Sequence, residues 1–411
     1  MALENISRIH VDANGRLVLP PEARTLLGTN NDVELLLNEV QQGVVLRRAL
    51  HQPAKIYIEP TSRCNLSCRM CIRNAWEEKQ GNMDDVTFQR LIDSVAALPE
   101  KPAIVFGGFG EPLFHPKIRE MLQQAKEVAS RVELITNGTL FTEDLAQEFI
   151  RLKLDIIWFS LDRLHADAYV TGANPVAHIE KLNYLRYLEN AHLPETGIVF
   201  VAVRSNVHEL PNLLRVASRY GISHYMVTNV LPYTPEMCAE MLYTRSLDTR
   251  ETQNSAWLPE VRLPRLDWDE STLMPLYQTF RTQSNIQLNG VRLTPAKGRC
   301  PFIETGVVAV SWDGAVSPCL ALMHSHVSYL YEKPRTVRRY VIGNLNNATL
   351  TELWNDADHL AFRQRVHAFD FSPCTLCGGC DMAEANQEDC FGNTFPTCGG
   401  CLWAWGVIQC P

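Results

Sequence analysis

Three cysteines, Cys64, Cys68 and Cys71, sit in one loop directly behind the strand-like run Lys55-Ile-Tyr-Ile-Glu, in C-x3-C-x2-C spacing. Such a loop offers three thiolates, so a four-iron cluster bound there keeps one iron without a protein ligand. An open iron can bind a small molecule, whereas a closed four-cysteine site passes electrons or holds structure. The fold must therefore present this loop at an accessible strand end. A zinc knuckle, or a ferredoxin-like loop whose fourth cysteine lies elsewhere, would use the same spacing.

The remaining cysteines strengthen the ligation reading. Of 13 in the chain, three lie at 64 to 71, the next is Cys238, and seven fall between Cys374 and Cys410. Scattered core thiols would not cluster in this way. No run of 18 or more apolar residues appears, and Met-Ala-Leu-Glu-Asn lacks the basic and apolar regions of a signal peptide. The expected location is the cytoplasm, where thiols stay reduced and metal ligation is a better use for them than disulfides. A net charge of -8 argues against broad binding to nucleic acid or to a membrane surface.

From about residue 54 to 232, β and α patterns alternate. Ile56 to Glu59, Ala103 to Phe106, Val132 to Thr136, Ile156 to Leu161, Ile198 to Val203 and Tyr225 to Val230 read as short buried strands. The clearest helix carries Phe88, Leu91, Ile92 and Val95 at i, i+3, i+4 and i+7 behind Asp84-Asp85. Six β/α units in series imply an α/β fold with a parallel sheet, open or closed into a partial barrel, whose chemistry sits at the carboxyl ends of the strands. The cysteine loop follows the first of them.

Further motifs fall at successive strand ends. Phe106-Gly107-Gly108-Phe109-Gly110-Glu111-Pro112 lets backbone approach a ligand at Gly108 and Gly110, and Glu111 offers an anion to an ammonium group. Ile135-Thr136-Asn137-Gly138 and Phe159-Ser160-Leu161-Asp162 add Asn137, Ser160 and Asp162, polar groups suited to a ribose or carboxylate. Any one of these is an ordinary turn; together on one scaffold they describe a site.

Over residues 54–232 the chain resembles the radical S-adenosylmethionine (SAM) superfamily. Its cluster loop matches Cys64, Cys68 and Cys71, and Gly110-Glu111-Pro112 stands where the family has a Gly-Gly-Glu-Pro contact to the methionine amino group. Phe109 replaces the first of the paired glycines, and Met70 occupies a position that is commonly aromatic. The resemblance implies a partial (β/α)6 TIM-type barrel, a [4Fe-4S] cluster with an open iron site, and reductive cleavage of SAM to a 5'-deoxyadenosyl radical under anaerobic conditions. It also implies a ferredoxin or flavodoxin-like electron donor.

Cys300, Gly314 and Cys319, followed by Cys374 and Cys377, resemble the SPASM extension, which houses one or two auxiliary [4Fe-4S] clusters. The continuation departs from the usual spacing, with Cys380, Cys390, Cys398, Cys401 and Cys410 as further candidate ligands. Two full clusters need eight thiolates and nine are present from Cys300 onward, so ligands cannot be divided between clusters by spacing. A zinc site in place of one cluster fits the same residues. The ending Glu388 to Pro411 is similar to that of the radical SAM/SPASM maturases of tungsten-containing aldehyde ferredoxin oxidoreductases. That resemblance implies a tungsten-pterin enzyme, or its cofactor, as the partner. Trp403 and Trp405 read as core packing, and Cys238 as a buried thiol.

Residues 1–50 form a small β unit whose V-D-x-x-G-R-x-x-x-P pattern resembles the AbrB-type swapped hairpins, with a short helix ending at Gly28. Five Arg, no Lys and six acidic side chains give no basic excess for DNA, so a homodimerisation or docking module is expected. The expected organisation is 1–50 hairpin module, 51–234 radical SAM core, 235–298 bridge and 299–411 auxiliary-cluster region. Two other functions fit parts of the sequence: a maturase that oxidises or crosslinks a ribosomal peptide, and an iron-sulfur DNA-binding redox regulator.

Overall fold

A computed structural model describes residues 50–76, 78–161, 175–209, 219–222, 224–243, 299–330, 332–377 and 380–411, with short strands at 10–11, 17–18, 35–40, 43–48, 261–263, 286–288 and 291–292. The chain divides into two compact units, Met1–His51 and Gln52–Pro411. In the first, Leu35–Val40 pairs antiparallel with Gly43–Arg48, and His10–Val11 with Leu17–Val18, as the alternating apolar pattern predicts. The helix expected to end at Gly28 and the side chain of Asp162 lie outside the described residues.

The second unit is built on six parallel strands in sequential order: β1 (Lys55–Ile58), β2 (Ala103–Phe106), β3 (Arg131–Thr136), β4 (Ile156–Ser160), β5 (Glu195–Ala202) and β6 (His224–Asn229). This is the partial (β/α)6 barrel that the sequence implies. Helix α1 (Asp85–Ala96) starts where the Asp84 side chain accepts from the Thr87 N–H, and it buries Phe88, Leu91, Ile92 and Val95. Helix α2 (Glu143–Leu152) is capped by Thr142 in the same way and stops at Lys153, which takes a left-handed φ of 52°.

The two faces of the sheet are covered differently. Ile56, Ile58, Ile104 and Phe106 are fully buried on the helix side, where Phe106 meets Phe88. On the inner side Tyr57 and Val105 join one core with Cys300, Phe302, Cys319, Leu322, Phe371 and Trp403. The C-terminal region thus fills the inside of the barrel. Parallel strands need cover on both faces, and here the second cover comes largely from the distant C-terminal region.

That region also extends the sheet. Strand β7 (Val307–Val310) pairs parallel with β1, and β8 (Ala315–Ser317) and β9 (Gly343–Asn344) follow antiparallel, giving nine strands in order β6-β5-β4-β3-β2-β1-β7-β8-β9. The tail reaches both end strands of the six-strand series, β6 and β1. Asn229 Nδ2 donates to Val407 O at 2.9 Å, the Gln409 N–H donates to Thr228 Oγ1 at 2.9 Å, and Lys55 Nζ donates to Pro411 O at 2.8 Å. Between the barrel and this region, Val261–Leu263, Ile286–Leu288 and Val291–Arg292 form a three-stranded sheet that the weak periodicity of residues 235–298 did not predict. Among the described residues no helix is long and apolar enough to cross a membrane.

Candidate active site

The cysteine loop leaves β1 at the carboxyl edge of the barrel and is tied down by its own neighbours. Arg73 donates through Nη2 to Leu66 O at 2.9 Å and through Nε to Cys71 Sγ at 3.4 Å. Asn74 Nδ2 bonds Cys68 O at 3.0 Å and Tyr233 Oη at 2.9 Å, so the loop is anchored to the segment after β6. Two further N–H groups face Cys64 Sγ: the Leu66 amide at 3.4 Å and Asn137 Nδ2 at 3.7 Å. Cys64 and Cys71 are half-buried and Cys68 is exposed. Burial pushes the Cys64 thiol up, against the opposing pull of the Leu66 N–H and the Arg73 guanidinium.

The glycine-rich turn after β2 presses against this loop. An added Cβ at Gly110 would lie 2.0 Å from Thr61 O and 2.7 Å from Arg63 O, and the Glu111 N–H donates to Arg63 O at 2.8 Å. Gly108 has φ +92°, and its Cβ would meet the Glu59 side chain at 2.8 Å. Only glycine fits such an approach without strain. Glu111 is 2% exposed and accepts from Thr136 Oγ1 at 2.6 Å, the Asn137 N–H at 2.7 Å and the Leu113 N–H at 3.0 Å. Burial raises its carboxyl to about 7 despite these three donors. Asn137 also bonds Asn65 Oδ1 at 3.0 Å, and Thr139 accepts from Asn65 Nδ2 at 2.8 Å, joining the end of β3 to the cysteine loop. Ser160 is half-buried at the end of β4.

The C-terminal thiols converge from distant positions. Cys300, Cys319, Cys374, Cys398 and Cys401 line one cavity with Arg335. Burial is the largest influence on each of these thiols: it pushes Cys300 up to about 12 and Cys319 and Cys398 well above the ordinary thiol value. Electrostatically, Cys401 raises Cys300, Cys300, Cys398 and Cys401 raise Cys319, and Cys300 and Cys401 raise Cys398. Cys374 lies toward Arg335, Asp389 and Cys390, and Cys390 Sγ is 3.1 Å from Ser372 Oγ. Cys380 is exposed, and the side chain of Cys377 lies outside the described residues. Cys410 lies outside this cavity, accepting from Trp403 Nε1 at 3.3 Å close to Lys55, and Cys401 raises it electrostatically. Among the described residues no three His, Cys, Asp or Glu side chains converge as the ligands of a single metal ion would. Cys238 is only half-buried, 3.9 Å from Thr234 O, because its 3-10 turn lies near the surface.

Two family profiles match the chain, the radical SAM superfamily over residues 58–217 and the SPASM iron-sulfur cluster-binding domain over residues 300–381. A tungsten-containing aldehyde ferredoxin oxidoreductase cofactor-modifying protein of Pyrococcus furiosus is 32% identical over 365 residues, spanning 87% of this chain and 96% of that protein. The chain belongs to the radical SAM superfamily, in its SPASM branch. An AdoMet-dependent heme synthase of Nitratidesulfovibrio vulgaris is 25% identical, covering 80% of this chain and 88% of its own. A PqqA peptide cyclase of Gluconobacter oxydans is also 25% identical, covering 84% and 90%.

As a radical SAM and SPASM chain it is an iron-sulfur, SAM-binding enzyme, and the residues present fit those groups. N–H donors aimed at Cys64 and Cys71 suit thiolates that carry a cluster's negative charge. Buried thiols held protonated by their surroundings become stable anions only when a metal takes the proton's place. Sequence reading missed Arg73, Asn65, Asn74, Thr139 and Tyr233, and although it picked out the Ile135–Gly138 strand end it did not foresee that Thr136 bonds Glu111. Arg73 was the most accessible of these, since a cation two positions beyond a ligand cysteine has an evident partner.

Proposed function

We propose that the protein is a radical SAM maturase for a tungsten-pterin oxidoreductase of the aldehyde ferredoxin oxidoreductase type, modifying its cofactor or its polypeptide. The supporting observation is the 32% identity to the cofactor-modifying protein across nearly the whole of both chains, SPASM region included. Cys64, Cys68 and Cys71 hold the catalytic cluster. Gly108, Gly110, Glu111, Asn137, Ser160 and Asp162 form the SAM cradle, with the Glu111 lone pair left over from its three donors facing the methionine ammonium. Cys300, Cys319, Cys398 and Cys401 serve as one auxiliary four-thiolate set. Cys374, Cys377, Cys380 and Cys390 serve as a second, leaving Cys410 to pack against Trp403.

When bound, the reduced cluster and SAM supply a 5'-deoxyadenosyl radical able to take hydrogen from an unreactive carbon. The chain's own residues position and shield. The Gly110 turn and Arg73 fix the cysteine loop, Thr136 and the Asn137 amide aim Glu111, and the C-terminal region closes the inner face against water. A ferredoxin- or flavodoxin-type protein would be the external one-electron donor for a cluster held by Cys64, Cys68 and Cys71. The N-terminal unit serves as a homodimerisation or docking module.

The test is to add a tungstoenzyme produced without this chain to anaerobically reconstituted, reduced protein. The reading expects stimulated 5'-deoxyadenosine formation and a mass change on the pterin or polypeptide of the tungstoenzyme. Stimulation by a short ribosomal peptide alone would overturn it in favour of peptide modification, a reading to which the similarity with PqqA peptide cyclases lends support.

A further inference from the structure

One buried charged line belongs to neither the cysteine loop nor the auxiliary thiols. Glu59, at the end of β1, is fully buried. Its Oε1 accepts from the Phe109 N–H at 3.1 Å, and its Oε2 lies 2.8 Å from His324 Nε2. His324 is 2% exposed, and its Nδ1 lies 2.7 Å from Glu78 Oε2. Glu78 Oε1 in turn accepts from the Ser325 N–H at 2.7 Å. With a carboxylate at each ring nitrogen, both nitrogens carry hydrogen and the imidazole is a cation. Its ring stacks on Trp76 at 4.3 Å, and Phe109 closes the edge at 5.1 Å from Trp76 and 5.9 Å from His324.

This line links two parts of the molecule. Glu59 and Glu78 flank the cysteine loop in sequence, whereas His324 arrives from the SPASM region. Phe109 belongs to the Gly107–Glu111 turn, and the Gly108 backbone rests on the Glu59 side chain. Without His324, Glu59 is a buried carboxylate with one amide donor, a costly state that protonation or rotation toward water relieves. Rotation withdraws the acceptor that holds Phe109, two residues before Glu111, and protonation weakens it by removing its charge.

We propose that His324 is a positioning residue of the SAM site: by holding Glu59 and Glu78 in one ion-paired line, it lets the auxiliary-cluster region set the geometry of the Phe109–Glu111 turn and so the affinity for SAM. The proposal rests on SAM binding at that turn, not on the identity of the final substrate. Besides the two carboxylates, His326 faces His324 through the His324 carbonyl at 3.0 Å, and Arg339 acts on Glu78 electrostatically. Burial alone would lower the His324 value, but the bonds and charges of Glu59 and Glu78 outweigh it and raise it to about 9.

The experiment uses full-length, cluster-loaded protein with His324→Gln, which cannot bridge two carboxylates, and Glu78→Gln, which weakens only the outer link. SAM affinity is read by equilibrium dialysis, beside KM and kcat for 5'-deoxyadenosine formation and iron per chain. His324→Gln should weaken SAM binding and raise KM about tenfold with kcat within about threefold and iron unchanged, the scale of coupling expected through one packed network. Glu78→Gln should give a smaller shift in the same direction. The mutant-to-wild-type ratio of SAM dissociation constants should fall toward one above pH 9, because the wild-type cation is lost there. Unchanged affinity in both variants, or a loss confined to kcat, would overturn the proposal. Wild-type protein that binds no SAM at all would instead refute the SAM reading beneath it.

Discussion

Gly110→Ala tests the junction on which the whole site depends. The added Cβ would stand 2.0 Å from Thr61 O and 2.7 Å from Arg63 O, both backbone atoms without rotamer freedom. Relief requires the turn and the Thr61–Arg63 segment to separate by about 1 Å, an overpacking cost of about 1–3 kcal/mol. The same movement breaks the bond from the Glu111 N–H to Arg63 O, worth about 1 kcal/mol. The sum, about 2–4 kcal/mol, lowers Tm by roughly 3–5 °C in a unit of this size. Because the displaced segment leads directly into Cys64, iron loading should fall by one four-iron cluster and 5'-deoxyadenosine formation should fall with it. The control is Gly107→Ala, whose Cβ meets only the flexible end of Ile135 at 2.9 Å and should change Tm by less than half as much. A Gly110→Ala protein with wild-type iron, Tm and turnover would refute the reasoning.

Glu111 predicts a pH dependence. Its carboxyl sits at about 7 in the folded protein against an ordinary 4.5, so the folded state holds the proton more tightly. Stability therefore falls as pH rises from about 4.5 to about 7, by about 3 kcal/mol in all, and Glu111→Gln should flatten that difference in denaturant titrations. SAM affinity should strengthen through the same window in wild type relative to Glu111→Gln. Iron analysis should show Cys319→Ala or Cys398→Ala losing about four irons per chain, while Cys410→Ala keeps the wild-type content. Equal losses in all three would refute the proposed division of ligands. Trp158 Nε1 donates to buried Glu133 Oε2 at 2.8 Å, so Trp158→Phe should cost about 1–3 kcal/mol in chemical denaturation, and a cost near zero would show that solvent replaces the bond.

The parallel strands were legible because each is a short apolar run bounded by turn residues, and their observed ends differ from the expected ones by three residues or fewer. Helix α1 was legible for the same kind of reason, an acidic cap ahead of Phe88, Leu91, Ile92 and Val95 on one face. The strand-end motifs could be found because β/α order alone sends every such loop to one edge. What Glu111 touches could not be read in that way. Two of its three donors, Thr136 and Asn137, lie at the end of the next strand, and their approach depends on the pairing of β2 with β3. His324 gave no local signal, since nothing around it in sequence names Glu59, 265 positions away, as its partner.

Local order along the chain was thus enough to read the half-barrel, the three-cysteine loop and the strand-end edge that carries it, because strand formation, helix capping and cysteine spacing are properties of contiguous residues. Tertiary structure alone brought Cys300, Cys319, Cys398 and Cys401 around one cavity, added β7 beside β1 and packed the C-terminal region inside the barrel. The physical reason is that the inner face of a parallel sheet must be buried, and which distant segment buries it is settled by shape and packing in three dimensions.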